Sequence, residues 1–410
     1  MRNVIGLTAA CLLTFATATT SMADEATGKA GAGKVTFPLG TATPSEVCGN
    51  CHSAIYREYA FGFGSDQNFR ATFRNSTTVT LPDSVSSRAT SHSLAGIAVE
   101  QANHHAGNGA ECNACHYPES FSLPRTLDVS ENDQPKAGAG KPANTGLSCA
   151  ACHLTPDGRI RGPYNIASPH DNQPDITIKT SLMCAYCHSL GKRTPGSQTQ
   201  TFLEWRDDFF LKGLGRQNCQ DCHMPHTVRR LSNDQALPER VSSRHLWTGG
   251  RSLQRLLNAL SQVIVQTERD RAQFSFHIIN IGAGHSVPTG SHRRAVYLQA
   301  EAVTGEGKII AEREWLFAPW YGNRPDDSRY LEEDKKRPDA RGVSMADAQG
   351  PHEAIIRAGE ERVLDWSPKL PAGRYAIRSR LVYDLNRYND RNDRRDQTLF
   401  HTTSLEVTVK

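Results

Sequence analysis

Beyond its first two dozen residues the chain has no run of about 18 uninterrupted apolar residues, so no transmembrane helix is expected in the processed protein, which reads as soluble. It has little net charge. Its 47 basic and 43 acidic residues give +4, which does not point to a polyanion-binding surface, and nucleic acid is not an expected partner. It has no cysteine after Cys222 and none to spare before it. Of eleven cysteines, Cys11 lies in an apolar leader and the other ten fall in five Cys-x-x-Cys pairs, so no thiol remains for a structural disulfide.

The leader reads as a signal peptide over residues 1–23. Arg2 supplies the positive charge, Val4 to Ala16 the apolar stretch, and Ser21-Met22-Ala23 the small residues before a cut at Asp24. Cys11 sits inside the apolar stretch, with Thr8 where a lipoprotein signal usually has Leu, so a lipid anchor is discounted. The expected location is periplasmic or extracellular. Residues 24–43, rich in Gly, Ala, Lys and Thr, read as a flexible N-terminus.

The five pairs are Cys48/Cys51, Cys112/Cys115, Cys149/Cys152, Cys184/Cys187 and Cys219/Cys222. Each is followed at once by a histidine: His52, His116, His153, His188 and His223. Two thiols two residues apart match the two vinyl groups of a haem, and the adjacent His lands under the iron as its proximal ligand. Zinc also takes paired cysteines, but it does not require a His directly after every second Cys. Five intact motifs on a secreted chain therefore predict five covalently bound haem c groups. Cutting away Arg2 with the leader takes the net charge from +4 to +3. Five ferric haems, each a formal −1 with both propionates ionised, take it on to −2. Some Arg and Lys side chains are accordingly expected to neutralise propionates.

The first cysteines of successive motifs are 64, 37, 35 and 35 residues apart, which is not a strict repeat. Residues 44–260 hold all five motifs and read as an irregular, mainly short-helix multihaem domain. Helices are expected at Ser53–Ala60, Ser93–Ala102, Phe202–Gly213 and Leu253–Gln262. Thr201 is the expected N-cap of the third, with Glu204 completing a capping box. From residue 262 to 410 the pattern changes to polar/apolar alternation, with runs at Gln262–Thr267, Ala272–Ile281, Ala295–Val303, Lys308–Leu316, Arg362–Asp365, Arg374–Tyr383 and Leu399–Val409. Seven short strands predict an antiparallel, Ig-like β-sandwich. A charged insertion, Pro325–Pro351, reads as a surface loop. The fold class is thus α+β multidomain.

Sixteen histidines less five proximal ones leave eleven candidates for sixth ligands. His92 is either a ligand or a residue flanking a helix start. Of His104 and His105, one can face a given iron. His170, after Ser168-Pro169, and His245, before Leu-Trp-Thr-Gly-Gly250, are ligand candidates. His226 reads as a propionate contact, His277 as structural, and His292, His352 and His401 as surface residues. His285 sits in Asn280-Ile-Gly-Ala-Gly-His-Ser-Val-Pro-Thr-Gly290 between two strands. Its glycines allow close backbone approach to a flat ligand. The reading favoured over a plain turn is that the β domain inserts His285 into the haem domain and caps one iron.

Cys48-Gly-Asn-Cys-His-Ser-Ala-Ile-Tyr-Arg-Glu-Tyr59 resembles the first haem segment of the nitrifier tetrahaem cytochromes. Gly146-Leu-Ser-Cys-Ala-Ala-Cys-His153 and Cys219-Gln-Asp-Cys-His-Met-Pro225 resemble segments that family shares with pentahaem nitrite reductases and hydroxylamine oxidoreductases. Arg244-His245 with Gly249-Gly250 resembles the distal-His segment that often follows. The His285 loop with its strands resembles C-terminal modules of some extracytoplasmic multihaem cytochromes. Two departures stand out. Pentahaem nitrite reductases typically carry Lys in place of one proximal His, whereas all five motifs here end in His. The tetrahaem family usually has a distal His soon after the first motif, whereas Phe61–Phe69 has none, so the first haem borrows a ligand from elsewhere or stays open.

Three functions fit. The leading one is an electron carrier exchanging electrons with redox protein partners through bis-His haems. The second is an enzyme, an oxidoreductase of small nitrogen or sulfur species at one five-coordinate haem. The third is a protomer of a homo-oligomer or haem-bearing filament.

Overall fold

The computed structural model describes residues 45–61, 115, 118–120, 123–128, 136–137, 147–192, 200–250, 252–290, 294–318, 355–387 and 397–410. Cys112, His116, His92, His104, His105, His292, His352, the expected helix at 93–102 and the insertion at 325–351 lie outside them.

Through residue 259 the described chain is built of short pieces. The helices are α1 (Ser45–Gly49), α2 (Ser53–Phe61), α3 (Cys149–His153), α4 (Leu182–Ala185), α5 (Thr201–Glu204), α6 (Cys219–His223) and α7 (Leu253–Ala259). Three two-stranded sheets accompany them: β1 (Pro118–Ser120) with β2 (Lys136–Ala137), β3 (Ile160–Gly162) with β4 (Asn172–Pro174), and β5 (His226–Arg229) with β6 (Arg240–Ser243). The β3/β4 pair is parallel, the others antiparallel. Among the described residues one buried apolar cluster here consists of Ala185, Phe202 and Trp205.

The seven expected strands all form. They are β7 (Leu260–Gln266), β8 (Phe274–Asn280), β9 (Ala295–Thr304), β10 (Ile309–Phe317), β11 (Glu361–Trp366), β12 (Gly373–Asp384) and β13 (Gln397–Val409). They pair antiparallel as a four-stranded sheet, β10-β9-β12-β13, and a three-stranded one, β11-β8-β7. Alternation decides which face is buried. In β8, Phe274, Phe276 and Ile278 point inward, while His277 points out and its Nδ1 meets Glu361 Oε1 at 2.6 Å. One apolar cluster joins these residues to Val296, Leu298, Ile377 and Leu381 of the other sheet. A polar link crosses the same space: Ser379 donates to Gln262 Oε1 at 2.7 Å, and Gln262 Nε2 lies 3.3 Å from Nδ1 of the partly buried His401. His401 is therefore not the surface residue the sequence suggested. Ile278→Ala would leave a methyl-lined hole between the sheets, so it is expected to cost about 2–5 kcal/mol in chemical unfolding.

Few short helices and several antiparallel sheets make an α+β, multidomain architecture. Two helix expectations shift. The last ends at Ala259, because Leu260-Ser-Gln-Val-Ile-Val265 alternates and pairs with β8 instead. The helix at 202 starts one residue early. Gln200, not Thr201, occupies the cap position without a side-chain cap bond, and Trp205–Phe210 continues as a π-helical turn. Glu204 does not fold back as a capping box; its carboxylate is engaged elsewhere.

Candidate haem centres

Most of the described motifs sit on or beside these short helices. Cys149–His153 is α3 and Cys219–His223 is α6. Cys48 lies in α1 and His52 just before α2, while Cys184 lies in α4 and His188 at a kink in the turn that follows. Such one-turn helices are too short to hold themselves together, so capping decides their geometry. Ser148 Oγ accepts from Ala151 N, and Asn218 N donates to Asp221 Oδ2 at 2.8 Å.

The fourth motif departs from the uniform geometry that five identical motifs suggest. Cys187 lies just past the end of α4, which holds Cys184. It opens a 3-10 turn, Cys187–Lys192, in which His188 and Ser189 leave helical geometry at φ −98° and −127°. Ser189 donates to Ala185 O across that kink. Cys187 still lies near enough to Cys184 to raise its pKa further. Cys115, partly buried, is the one described residue of the second motif. Cys112 and His116 lie outside the described residues, so the attachment of a haem at Cys115 rests on the motif. No disulfide joins the described cysteines.

Motifs are joined in pairs by the same device. Ser45, three residues before Cys48, accepts at Oγ from Cys149 N at 3.1 Å. Ser181, three residues before Cys184, accepts at Oγ from Cys219 N at 3.0 Å. In both pairs the first cysteines share a thiol hydrogen bond, Cys48 with Cys149 and Cys184 with Cys219, and this pairing, with burial, pushes the Cys48 and Cys184 thiols up. A Ser-x-x-Cys-x-x-Cys-His pattern, present at 45–52 and 181–188, is the sequence signal for this device.

Three proximal histidines face three of the proposed distal ones. His52 and His170 have ring centroids 6.4 Å apart, tilted by 40°. His153 and His245 are 6.1 Å apart at 35°. His223 and His285 are 6.0 Å apart at 18°. An iron–imidazole bond of about 2 Å on each side, plus about 1 Å from Nε2 to the ring centre, puts two axial imidazoles about 6 Å apart. The spacing in all three pairs fits an iron between the rings.

Tautomers agree with that fit. His52 Nδ1 lies 2.5 Å from Leu231 O, His153 Nδ1 2.9 Å from Arg161 O, His223 Nδ1 2.5 Å from Thr248 O, and His285 Nδ1 2.8 Å from Ser286 O. A carbonyl only accepts, so each Nδ1 carries the proton and Nε2 keeps its lone pair for a metal. His170 Nδ1 is 3.1 Å from Ser168 Oγ. The Ser243 backbone raises the His245 pKa a little without closing a normal hydrogen bond, so Nδ1 there is buried without a partner. Burial lowers the His188 and His223 pKa values to about 4 and that of His245 to about 3, and also lowers those of His153, His170 and His285. These rings are neutral at pH 7, the state that ligates. Among the described residues no three metal-binding side chains converge.

Distant segments hold the rings. Asn233 closes over the first motif, its N donating to Cys51 O at 2.7 Å and its Nδ2 to Asn50 O at 2.9 Å. Glu58 of α2 accepts from His245 N at 2.9 Å, Arg244 Nε at 2.8 Å and Arg229 Nη1 at 3.0 Å. Thr248 N donates to His223 O at 2.9 Å. Sequence reasoning missed Glu58, Leu231 and Thr248, since each acts across a long stretch of chain. Two of the three glycines of the His285 loop, Gly282 and Gly284, lie tight against protein. A Cβ on Gly282 would meet Asn258 O at 2.0 Å, and one on Gly284 would meet the Phe209 ring at 3.1 Å. His226, expected beside a propionate, is exposed, with Nε2 3.8 Å from Asp221 Oδ1.

Residues 183–223, spanning the fourth and fifth motifs, match the family described as "Geobacter CxxxxCH...CXXCH motif". A penta-heme cytochrome c552 from Thermochromatium tepidum shares the fold, with a TM-score of 0.50 and 16% identity over 90% of this chain and 100% of that one. The C-terminal domain of wzt gives a TM-score of 0.21 at 10% identity, over 37% of this chain and 74% of that one, too low to bear on the fold. Comparison with curated proteins returns no match. The attachment motifs, the matching motif family and the shared fold together support a multihaem c-type cytochrome with covalently bound haem c.

Proposed function

We propose that this chain is a pentahaem electron carrier of the periplasm or cell surface, passing electrons between redox protein partners through bis-His haems. A c-type haem supplies one reversible ferric/ferrous electron per iron. The observation that carries the reading is the set of three imidazole pairs, His52/His170, His153/His245 and His223/His285, each spaced for one iron. With a strong-field nitrogen on both faces, these three sites have no coordination position left for a substrate. The first motif, the one that lacked a nearby distal His, is among them. His92, His104 and His105 are the candidate ligands for the irons of the second and fourth motifs, held by Cys112/Cys115 and Cys184/Cys187.

The closeness of attachment points from different motifs supports conduction. Cys48 beside Cys149, and Cys184 beside Cys219, bring attachment points of different motifs into contact. We take residues 44–260 as the haem domain and 262–410 as an Ig-like sandwich that supplies His285. Among the described residues no helix is long and apolar enough to cross a membrane. The reading is tested by adding cyanide, nitrite and hydroxylamine to the oxidised holoprotein and carbon monoxide to the reduced one. A carrier leaves the Soret and visible bands unchanged. A band shift that saturates at one ligand per chain favours the enzyme reading.

A further inference from the structure

Glu204 is the carboxylate that the capping-box expectation misplaced, and its contacts run across the two halves of the chain. Its Oε2 accepts from Thr289 Oγ1 at 2.8 Å and from Ser286 N at 3.2 Å. Thr201, one turn back on α5, meets Thr289 Oγ1 at 2.9 Å through its own Oγ1. Ser286 directly follows His285, whose ring faces His223. The far side of the loop is also fixed: Asn280 Nδ2 donates to His285 O at 2.9 Å and to Ile356 O at 3.0 Å, and Val287 pairs with Ile356.

We infer that Glu204 is a positioning residue, which holds the His285 loop of the β strands so that its imidazole stands opposite His223. The inference rests on the bis-His reading of that site. Three features argue for this role over general docking. Both donors to the carboxylate come from within four residues of His285, and one is the amide next to it. Phe209, in the turn that continues α5, presses its ring on Gly284, the residue before His285, so the loop is gripped on both sides of the ring. The pattern also recurs: Glu58 of α2 accepts the backbone N–H of His245 itself, opposite His153. A carboxylate on a haem-side helix thus fixes the backbone of each of these two facing histidines. A helix carboxylate that only stabilised the fold would have no reason to choose those segments twice.

The test uses full-length holoprotein carrying Glu204→Ala, Glu204→Gln or Thr289→Val, with His285→Ala as control. The readouts are the ferric spin state and the rate at which carbon monoxide binds the reduced protein. Glu204→Ala is expected to raise that rate at least tenfold at one iron per chain, with a new high-spin fraction. Glu204→Gln keeps an acceptor oxygen for both donors and is expected to restore the wild-type spectrum. Thr289→Val, a milder change, is expected to raise the rate by a smaller factor and covers the case in which Glu204→Ala does not assemble. If His285→Ala opens an iron while Glu204→Ala and Thr289→Val leave both readouts at wild-type values, Glu204 does not position the ligand. If His285→Ala itself opens nothing, the bis-His reading of that site fails instead.

Discussion

Replacing His170, His245 or His285 by alanine, one at a time, is expected to turn one low-spin iron per chain into a ligand-accessible one. Each ring faces a different proximal histidine, at 6.4, 6.1 and 6.0 Å. Each truncation should therefore open a different site: the irons of the first, third and fifth motifs in that order. The expected signs are a high-spin ferric signal of one iron per chain, cyanide binding where wild type shows none, and a raised potential at that haem. His277→Ala serves as the contrast. Its ring is spent on Glu361 at the sheet surface, and its removal is expected to leave every iron as it was. The His170 variant carries the most weight, because the first motif is where an open haem would make the protein an enzyme. A wild-type spectrum after His170→Ala would show that His52 is not opposed by it.

The second large effect is on stability and follows Glu204. Burial raises its pKa to about 7, the nearby Asp208 adds to the rise, and the Thr289 and Ser286 donors oppose it without cancelling it. The folded pKa lies above the unfolded one. The stability this group contributes is therefore complete below its model-peptide value near 4.5 and is lost as pH climbs through about 7. Glutamine carries no charge at any pH. The difference in unfolding free energy between Glu204→Gln and wild type should thus move in the variant's favour by about 2–3 kcal/mol between pH 5 and pH 8.5, allowing for partial exposure. A pH-independent difference would mean that the carboxylate is well solvated. A group that costs stability at neutral pH, yet takes both its donors from the His285 loop, is what a trade of stability for function looks like.

What the sequence made legible was local. The haem attachments follow from three side chains in five residues, a fit that needs nothing from the rest of the chain. The strands from Leu260 to Val409 declared themselves because one buried face imposes a period of two, as Phe274, Phe276 and Ile278 illustrate. The pairing of ligands was not legible in the same way. His170 answers His52 across more than a hundred residues, and no local spacing encodes that. Identical motifs also hid a difference in backbone: in the fourth motif the histidine after the second cysteine, His188, leaves helical geometry, whereas His153 and His223 close one-turn helices. Glu204 was misread because a carboxylate three residues after a threonine suits a capping box, and only the fold reveals that Ser286 and Thr289 compete for it. The Ser45 and Ser181 contacts sat in plain view as Ser-x-x-Cys, but their targets, Cys149 N and Cys219 N, are tertiary neighbours.

Electron paramagnetic resonance of the fully oxidised holoprotein, integrated against total haem iron, tests bis-histidine electron carriage most directly. Five low-spin ferric irons per chain, with no high-spin signal near g = 6 and no change on adding cyanide or nitrite, is the predicted result. A high-spin signal integrating to one iron per chain and displaced by those ligands would contradict it.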